Sequence, residues 1–421
     1  MENRMYLCID LKSFYASVEC VARDLDPMTT RLVVADPQRS RGTICLAISP
    51  AMKALGIKNR CRLFEIPQNI EYITAPPRMQ LYIDKSAEIY SIYLKYIAKE
   101  DIHVYSIDEA FLDVTDYLPL YHMTARELGM TIMQDIKSSL KLIATCGIGT
   151  NLYLAKIALD ITSKHVPDHI GYLDEESYCQ TLWHHTPLTD FWRIGPGTAK
   201  KLATLGITNM DDIAHADEQT LYHAFGIDTE YLIDHAWGRE PTTIAEIKVY
   251  KSQAHSISSG QVLCRDYHYD EGLLIVKEMV DLLCLDLVEK QLVTNSLSLY
   301  VGYARDIWKS VNGSMTLTVT TNSCSIIMEN FIKLYKRIVN PLFLIRRFSV
   351  CCNNVVDEAY EQYDLFTNPE DLERDRKVQQ AVLTIKSKFG KNAILRGMNL
   401  EEGATTRDRN MQIGGHKRGE S

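Results

Sequence analysis

Three acids constrain this chain more than anything else in it. The β-prone run Tyr6-Leu7-Cys8-Ile9 ends in Asp10, and Asp108-Glu109 lies between two further β-prone runs at 104–107 and 110–114. Neighbouring residues on a regular strand point to opposite faces, so Asp108 and Glu109 reach one site only if the chain bends between them. A hairpin turn at Asp108-Glu109 supplies that bend and sets the pair beside Asp10 on an adjacent strand. Oxygen ligands in this number suit Mg²⁺, which takes one or two carboxylates plus substrate phosphates and waters. Two such ions roughly 3.5–4 Å apart can stabilise the attacking and leaving oxygens of an in-line phosphoryl displacement. Each piece alone has a plainer reading. An Asp after a strand is a helix cap, and an Asp-Glu pair is a solvated turn.

Around these acids the chain alternates strand and helix. Ser13 can cap a helix whose apolar positions Phe14, Val18 and Val21 recur at i, i+4, i+7. A strand is expected at 31–35, then a polar stretch at 36–42 and a helix at 49–56. Helical spacing returns over 82–97, 125–142 and 152–161. This reads as one α/β layer structure, residues 1–35 and 76–165, with an insertion at 36–75. Residues 166–244 are helical and punctuated by Gly195-Pro196-Gly197. Over 245–352 a strand at 248–258, a helix at 271–290, alternating strands through Leu297 and Leu317, a helix at 326–338 and a strand at 342–351 give the order β-α-β-β-α-β. The rest, 353–421, is polar, with a helix at 370–388 and an end, from Glu401, expected to be disordered or ordered by a partner.

At 421 residues the chain is long enough for roughly two to four domains. A net charge of -8 argues against a polyanionic partner until it is mapped. Residues 166–244 hold 13 Asp+Glu against 4 Lys+Arg, whereas 1–165 hold 19 of each, so the acidity is one block's surface. The eleven cysteines fall singly apart from Cys351-Cys352, without CxxC or zinc spacing, which suits a reducing cytosol. With no run of 18 apolar residues, a soluble cytoplasmic protein without membrane contact is expected.

The string Ile9-Asp10-Leu11-Lys12-Ser13-Phe14-Tyr15-Ala16-Ser17-Val18-Glu19, with Tyr105-Ser106-Ile107-Asp108-Glu109-Ala110-Phe111-Leu112-Asp113, resembles the Y-family translesion DNA polymerases. Ala54-Leu55-Gly56-Ile57-Lys58, Cys146-Gly147-Ile148-Gly149 and Leu154-Ala155-Lys156-Ile157-Ala158 agree with it. The branch looks UmuC-like, in its Gram-positive UvrX-like form, and Arg409-Asn410-Met411-Gln412-Ile413-Gly414-Gly415-His416 is similar to that branch's tail. The resemblance implies an α/β and α+β multidomain right hand: palm at 1–35 and 76–165, small fingers at 36–75, a thumb at 166–244, a βαββαβ little finger at 245–352 and a tail at 353–421.

It further implies that Asp10, Asp108 and Glu109 are catalytic and, with the Leu11 carbonyl, hold two Mg²⁺ ions. Backbone N–H groups at Lys12, Ser13, Phe14 and Tyr15 would cradle the triphosphate, with Lys53 and Lys164 as further contacts. Tyr15 falls at the steric-gate position, where an aromatic ring occupies the space of a ribose 2′-OH. Lys12 departs from the family, many of whose members carry Asp or Asn there, and Lys53 replaces an Arg. Asp113 falls on the strand after the turn and reads as structural.

Ile194-Gly195-Pro196-Gly197-Thr198-Ala199-Lys200-Lys201 fits a helix-hairpin-helix, with Gly195, Gly197, Thr198 and Lys200 against a DNA phosphate. In the βαββαβ module Thr316, Thr318 and Thr320 share the polar face of one strand, with Lys251, Arg265, Arg346 and Arg347 as phosphate candidates. Gln362-Tyr363-Asp364-Leu365-Phe366 resembles the sliding-clamp peptide, in which Gln362 anchors and Leu365 and Phe366 fill an apolar pocket. The implied activity is template-directed, low-fidelity addition of dNTPs to a primer end past damaged bases, in DNA repair and the SOS response. Primer-template DNA, dNTP, the sliding clamp and UmuD-like or recombinase partners are the implied company. The alternatives are another palm-type enzyme, such as a nucleotidyl cyclase, and a non-catalytic DNA- and clamp-binding accessory protein.

Overall fold

The computed structural model describes residues 4–38, 42–251, 255–304, 309–360 and 369–419. Two compact units emerge, one within Met1–Tyr250 and one over Lys251–Arg418. The strands of the first are β1 (Tyr6–Leu11), β2 (Leu32–Val34), β3 (Ala47–Ile48), β4 (Ile73–Ala75), β5 (Ile102–Val104), β6 (Glu109–Asp113), β7 (Ala144–Gly149) and β8 (Ile170–Leu173). Its helices are α1 (Phe14–Val21), α2 (Pro50–Ala54), α3 (Met79–Tyr93), α4 (Tyr117–Tyr121), α5 (Ala125–Leu140), α6 (Leu152–Asp160), α7 (Glu175–Leu182), α8 (Pro196–Thr204), α9 (Met210–Ala214), α10 (Glu218–Phe225), α11 (Asp228–Ala236) and α12 (Ile244–Val249).

Five strands form one sheet in the order β5-β6-β1-β7-β8, with β1 central and β7-β8 the parallel pair. Continuous burial along Tyr6–Cys8 and Glu109–Asp113 follows from helices on both faces. Tyr6 and Cys8 pack with Leu152, Ala155 and Leu159 of α6, and Leu7 packs toward Gly129 of α5. Because side chains alternate along a strand, Asp10 shares the α6 face with Cys8.

Glycine sets how close α6 comes. A Cβ on Gly147 would lie 2.1 Å from the Ala155 carbonyl oxygen, and one on Gly149 2.1 Å from the Ala155 nitrogen. Backbone therefore rests on backbone between β7 and α6, and the side chains of α6 are delivered deep into the sheet end.

β2 joins not this sheet but a small one of its own, antiparallel to β3 and parallel to β4. Val33, Cys45, Ile48, Met52 and Leu63 form a separate core there. β8 extends the main sheet to Leu173, so the helical block begins later than the composition change at 166. The strand expected at 248–258 begins only at Ser256, as the first strand of the second unit, and residues up to Val249 form the helix α12 instead. Its capping box, with the Glu246 carboxylate accepting from Thr243 N–H at 2.8 Å, outweighs the β-branched residues that follow.

The second unit contains β9 (Ser256–Tyr267), α13 (Tyr269–Glu289), β10 (Leu292–Tyr303), β11 (Val311–Thr321), α14 (Cys324–Ile338) and β12 (Ile345–Asn353), the expected β-α-β-β-α-β order. All four strands are antiparallel, in the order β11-β10-β12-β9. Leu299, Val301, Phe348 and Val350 pack under α13 and α14.

The chain end differs from expectation. After α15 (Pro369–Phe389) it does not run free but returns to the second unit, through α16 (Thr406–Asn410) and a hairpin pairing Gln412–Ile413 with His416–Lys417. A buried carboxylate, Glu278 of α13, holds it: Glu278 accepts from Asn399 Nδ2 at 2.9 Å and from the N–H groups of Thr405 and Thr406 at 2.7 and 3.2 Å. Polar composition had concealed a segment ordered by hydrogen bonds rather than by apolar area.

All eleven cysteines are free. Among the described residues no helix is long and apolar enough to cross a membrane.

Substituting Gly147→Ala should cost more than about 4 kcal/mol, because the new methyl meets backbone rather than a movable side chain. Gly195→Ala, with nothing within 4 Å of the added Cβ, should be near neutral, and thermal melting of the two variants checks the contrast.

Candidate active site

The main sheet brings the three acids to one end. Asp10 and Glu109 are directly paired across β1 and β6, so their side chains leave the same face. Asp108 sits in the turn just before β6, and its carbonyl accepts from Leu11 N–H at 3.0 Å, tying the turn to the end of β1. The bend lies before Glu109 rather than between the two acids, since Glu109 already belongs to β6.

Sequence reasoning passed over the partners of Glu109. Lys156 of α6, buried, donates from Nζ to Glu109 Oε2 at 2.8 Å and to Asp160 Oδ1 at 3.0 Å. Cys8 Sγ donates to Glu109 Oε1 at 3.3 Å. The signal was present, because Lys156 interrupts an otherwise apolar helix, Leu-Tyr-Leu-Ala-Lys-Ile-Ala-Leu. Burial pushes the Glu109 carboxyl up, with the Lys156 charge opposing.

Asp10 is different. Among the described residues no hydrogen bond or ion pair reaches its carboxylate. Burial, then the charges of Asp108 and Glu109, push it up to about 8. Glu19, Glu109, Glu240 and Glu278, also buried, each have donors.

Hard carboxylate oxygens brought together at one sheet end are the chemistry that suits a divalent cation. Yet among the described residues no three His, Cys, Asp or Glu side chains converge closely enough to hold a metal as they stand. Glu109 is turned to Lys156, and Asp108 Oδ1 accepts from Ser106 Oγ at 2.6 Å. The Asp10 carboxylate has no donor among the described residues, whereas Asp108 and Glu109 would have to exchange Ser106 and Lys156 for an ion.

The residues expected to face a nucleotide lie toward the same end, Lys53 within reach of the charges of Asp10, Lys12 and Lys164. Lys53, exposed on α2, feels the attraction of Asp10 and the repulsion of Lys164 and Lys12. Burial lowers its pKa, the charges of Lys164 and Lys12 act in the same direction, and that of Asp10 opposes them. Lys12 N–H is already committed to the Ile143 carbonyl at 2.8 Å, so an N–H cradle starts at Ser13. Ser13 makes no side-chain cap; its backbone is left-handed, φ 52°, and its Oγ is buried without a partner. Phe14 and Tyr15 open α1, whose first-turn N–H groups have no acceptor within the helix.

Tyr15 is half-buried rather than a core ring. It stacks on Tyr82 at 4.5 Å, and burial and nearby Asp108 raise its pKa. Tyr82 donates to Glu19 Oε1 at 2.7 Å, and Arg78 binds both Glu19 oxygens at 3.0 and 2.7 Å. Burial pushes the Glu19 carboxyl up, but bonds from Arg78, Tyr82 and Arg23 outweigh it and hold Glu19 below the usual range. Asp113 accepts from Arg4 at 3.0 Å and from Thr115, a structural role.

At the start of α8, Gly195 and Gly197 are exposed and a Cβ on either would meet open space. Neither has positive φ; what glycine gives here is a flat approach to backbone. Thr198 is half-buried and Lys200 exposed. In the second unit Ser256, Ser258, Ser296, Ser298, Ser314 and Thr316 lie on the sheet face away from the helices. Thr320 is buried instead. Arg265 is held by Glu271 at 2.5 Å and Arg346 by Asp266 at 3.3 Å, whereas Arg347 lies over the Tyr300 ring at 5.9 Å. Lys251 is exposed. Gln362, Leu365 and Phe366 lie outside the described residues.

The fold is that of the Y-family polymerases: it matches the Y-family DNA polymerase chimera Dbh-Dpo4(243-245)-Dbh with a TM-score of 0.63 at 21% identity, over 84% of this chain and 99% of that one. The chain belongs to the impB/mucB/samB family, which residues 9–160 match, with its C-terminal domain matched by residues 254–365. It is 32% identical over 418 residues to the UvrX protein of Bacillus subtilis (strain 168), whose name refers to UV-damage repair, covering 98% of this chain and 97% of that protein. DNA polymerase IV of Bacillus velezensis is 30% identical over 402 residues, 94% of this chain and 93% of the relative.

The raised Asp10 carboxyl has a testable consequence. Its contribution to stability is full below the unfolded value of 3.8 and is lost as pH rises through about 8. Without divalent ions, Asp10→Asn should therefore melt several degrees above wild type at pH 8.5, the gap narrowing at pH 5.5 (buffer values of about these figures). Added Mg²⁺ should raise the melting temperature of wild type at the higher pH and leave the variant unmoved.

Proposed function

We propose that this chain is a template-directed DNA polymerase of the UmuC-like Y family, extending a primer 3′ end with dNTPs and carrying synthesis past damaged bases. The observation that carries the reading is the paired placement of Asp10 and Glu109 on β1 and β6, with Asp108 tied to Leu11, in a chain whose relatives over nearly its whole length include DNA polymerase IV. Asp10, Asp108, Glu109 and the Leu11 carbonyl would hold two Mg²⁺ ions, which supply activation of the primer hydroxyl and charge stabilisation at the α-phosphate as pyrophosphate leaves.

The chain's own groups do the positioning. Ser13 Oγ, the first-turn N–H groups of α1, and Lys12, Lys53 and Lys164 would take the triphosphate oxygens. The Tyr15 ring, backed by Tyr82, would close the space beside the sugar against a 2′-OH. Gly195, Gly197, Thr198 and Lys200 at the start of α8, and the hydroxyl-rich face of the second unit, would grip DNA phosphates without reading sequence. Gln362, Leu365 and Phe366 would engage the sliding clamp, and UmuD-like or recombinase partners would act with the chain in a cytoplasmic SOS response.

Primer extension on an undamaged template tests the assignment. Asp108→Ala should lower the rate on the order of 10²–10³-fold or more, as loss of transition-state charge stabilisation does. Equal extension by variant and wild type would overturn the reading. Tyr15→Ala should raise the efficiency ratio of rNTP to dNTP use by at least about tenfold, one lost steric contact being worth 1.4 kcal/mol or more; an unchanged ratio would remove the gate.

A further inference from the structure

Lys12 stands where many members of the family carry an acid or amide, and the structure shows what has been built to accommodate it. Its backbone is fixed, with N–H donating to the Ile143 carbonyl at 2.8 Å and its own carbonyl accepting from Ser17 Oγ at 2.6 Å. The side chain is half-buried, and its Nζ lies 3.3 Å from Nε2 of His169. An ammonium has donors only, so Nε2 must be the acceptor and the imidazole neutral. Burial and then the Lys12 charge lower the pKa of His169, in the same direction.

His169 is itself held. Its N–H donates to the Val166 carbonyl at 3.2 Å and its carbonyl accepts from Cys146 N–H at 2.9 Å, at the joint between β7 and β8. Its backbone is left-handed, φ 59°, a conformation that a β-carbon makes costly and that fixes where the ring emerges.

The choice of partner matters. A carboxylate at this point would orient Lys12 but also neutralise it. A neutral imidazole orients the ammonium with one hydrogen bond and leaves its full charge and two remaining N–H donors for another acceptor. Among the described residues no carboxylate pairs with Lys12. Lys12 also repels Lys53, which Lys164 repels in turn, so three ammonium groups share one region, where Asp10 attracts Lys53 and Asp160 lies in the same pocket as Lys164. A polyanion completes such a cluster.

We propose that His169 is a positioning residue, aiming Lys12 at the anionic oxygens of the triphosphate and of the pyrophosphate that leaves. This rests on the lysine cluster being the triphosphate site. It adds that the cluster's distinguishing member is set by an imidazole 157 positions away in sequence.

The test is single-nucleotide primer extension by the full chain, reading KM for dNTP against kcat, together with pyrophosphorolysis reading KM for inorganic pyrophosphate. His169→Ala should raise both KM values about tenfold, the worth of one charge-assisted contact, with the loss falling on KM rather than kcat. His169→Gln, which keeps an acceptor, should recover most of it, whereas a merely structural role would leave both variants alike. Lys12→Ala should match His169→Ala, and the double variant should be no worse than Lys12→Ala alone. Additive losses in the double variant, or failure of His169→Gln to recover where it folds, would overturn the positioning role. Unchanged KM values in Lys53→Ala and Lys164→Ala would instead overturn the underlying triphosphate reading.

Discussion

The pairing of Asp10 with Glu109 across β1 and β6 concentrates negative charge at a buried sheet end, and the surroundings respond to that charge. Two like charges in adjacent register positions are unfavourable, the more so out of water. Lys156 offsets one of them, reaching Glu109 only because Gly147 and Gly149 let α6 lie backbone against backbone on β7. Asp160 steadies Lys156 from the next turn of α6. Asp10 is left without a partner, and its carboxyl rises accordingly. The fold thus stores an unmet electrostatic demand at one point, and that point is where a cation and a triphosphate would meet.

Other buried acids show what a purely structural carboxylate looks like here. Glu278 is met by backbone N–H groups and an amide and holds the chain end to the second unit. Glu240 accepts from Thr242 and lies 3.2 Å from His235. Glu19 is met by Arg78 and Tyr82, and through Tyr82 it supports the ring stacked on Tyr15. Each has its donors inside the protein. The contrast separates Asp10 from them better than burial does.

Much of this was legible in the order of residues. Asp10 at the end of a strand and the Asp108-Glu109 pair could be placed at one sheet end from alternation and motif alone, and the β-α-β-β-α-β order of the second unit followed from hydrophobic period. What escaped has physical reasons. Lys156 stood out as the one cation in an apolar helix but its target on a neighbouring strand did not, and His169 acts across the sheet end through a contact that no local pattern encodes. Ser13 was read as a cap because Ser before an apolar-periodic helix usually is one, but its left-handed backbone turns Oγ away from that role. The capping box at Thr243 and Glu246 was visible and outweighed by β-propensity, which is the weaker signal when a cap is present. The ordered chain end was hidden because its anchor, Glu278, lies 121 positions from Asn399 in sequence.

The central claim is that the acids of β1 and β6 act together on a divalent ion, with Glu109 exchanging Lys156 for it. Anomalous diffraction from the chain with primer-template, a non-hydrolysable dNTP and Mn²⁺ tests this most directly. The account expects two peaks roughly 3.5–4 Å apart against Asp10 and Asp108, with Glu109 turned away from Lys156 to one of them. Ions bound elsewhere, or Glu109 still on Lys156 with nucleotide in place, would contradict it.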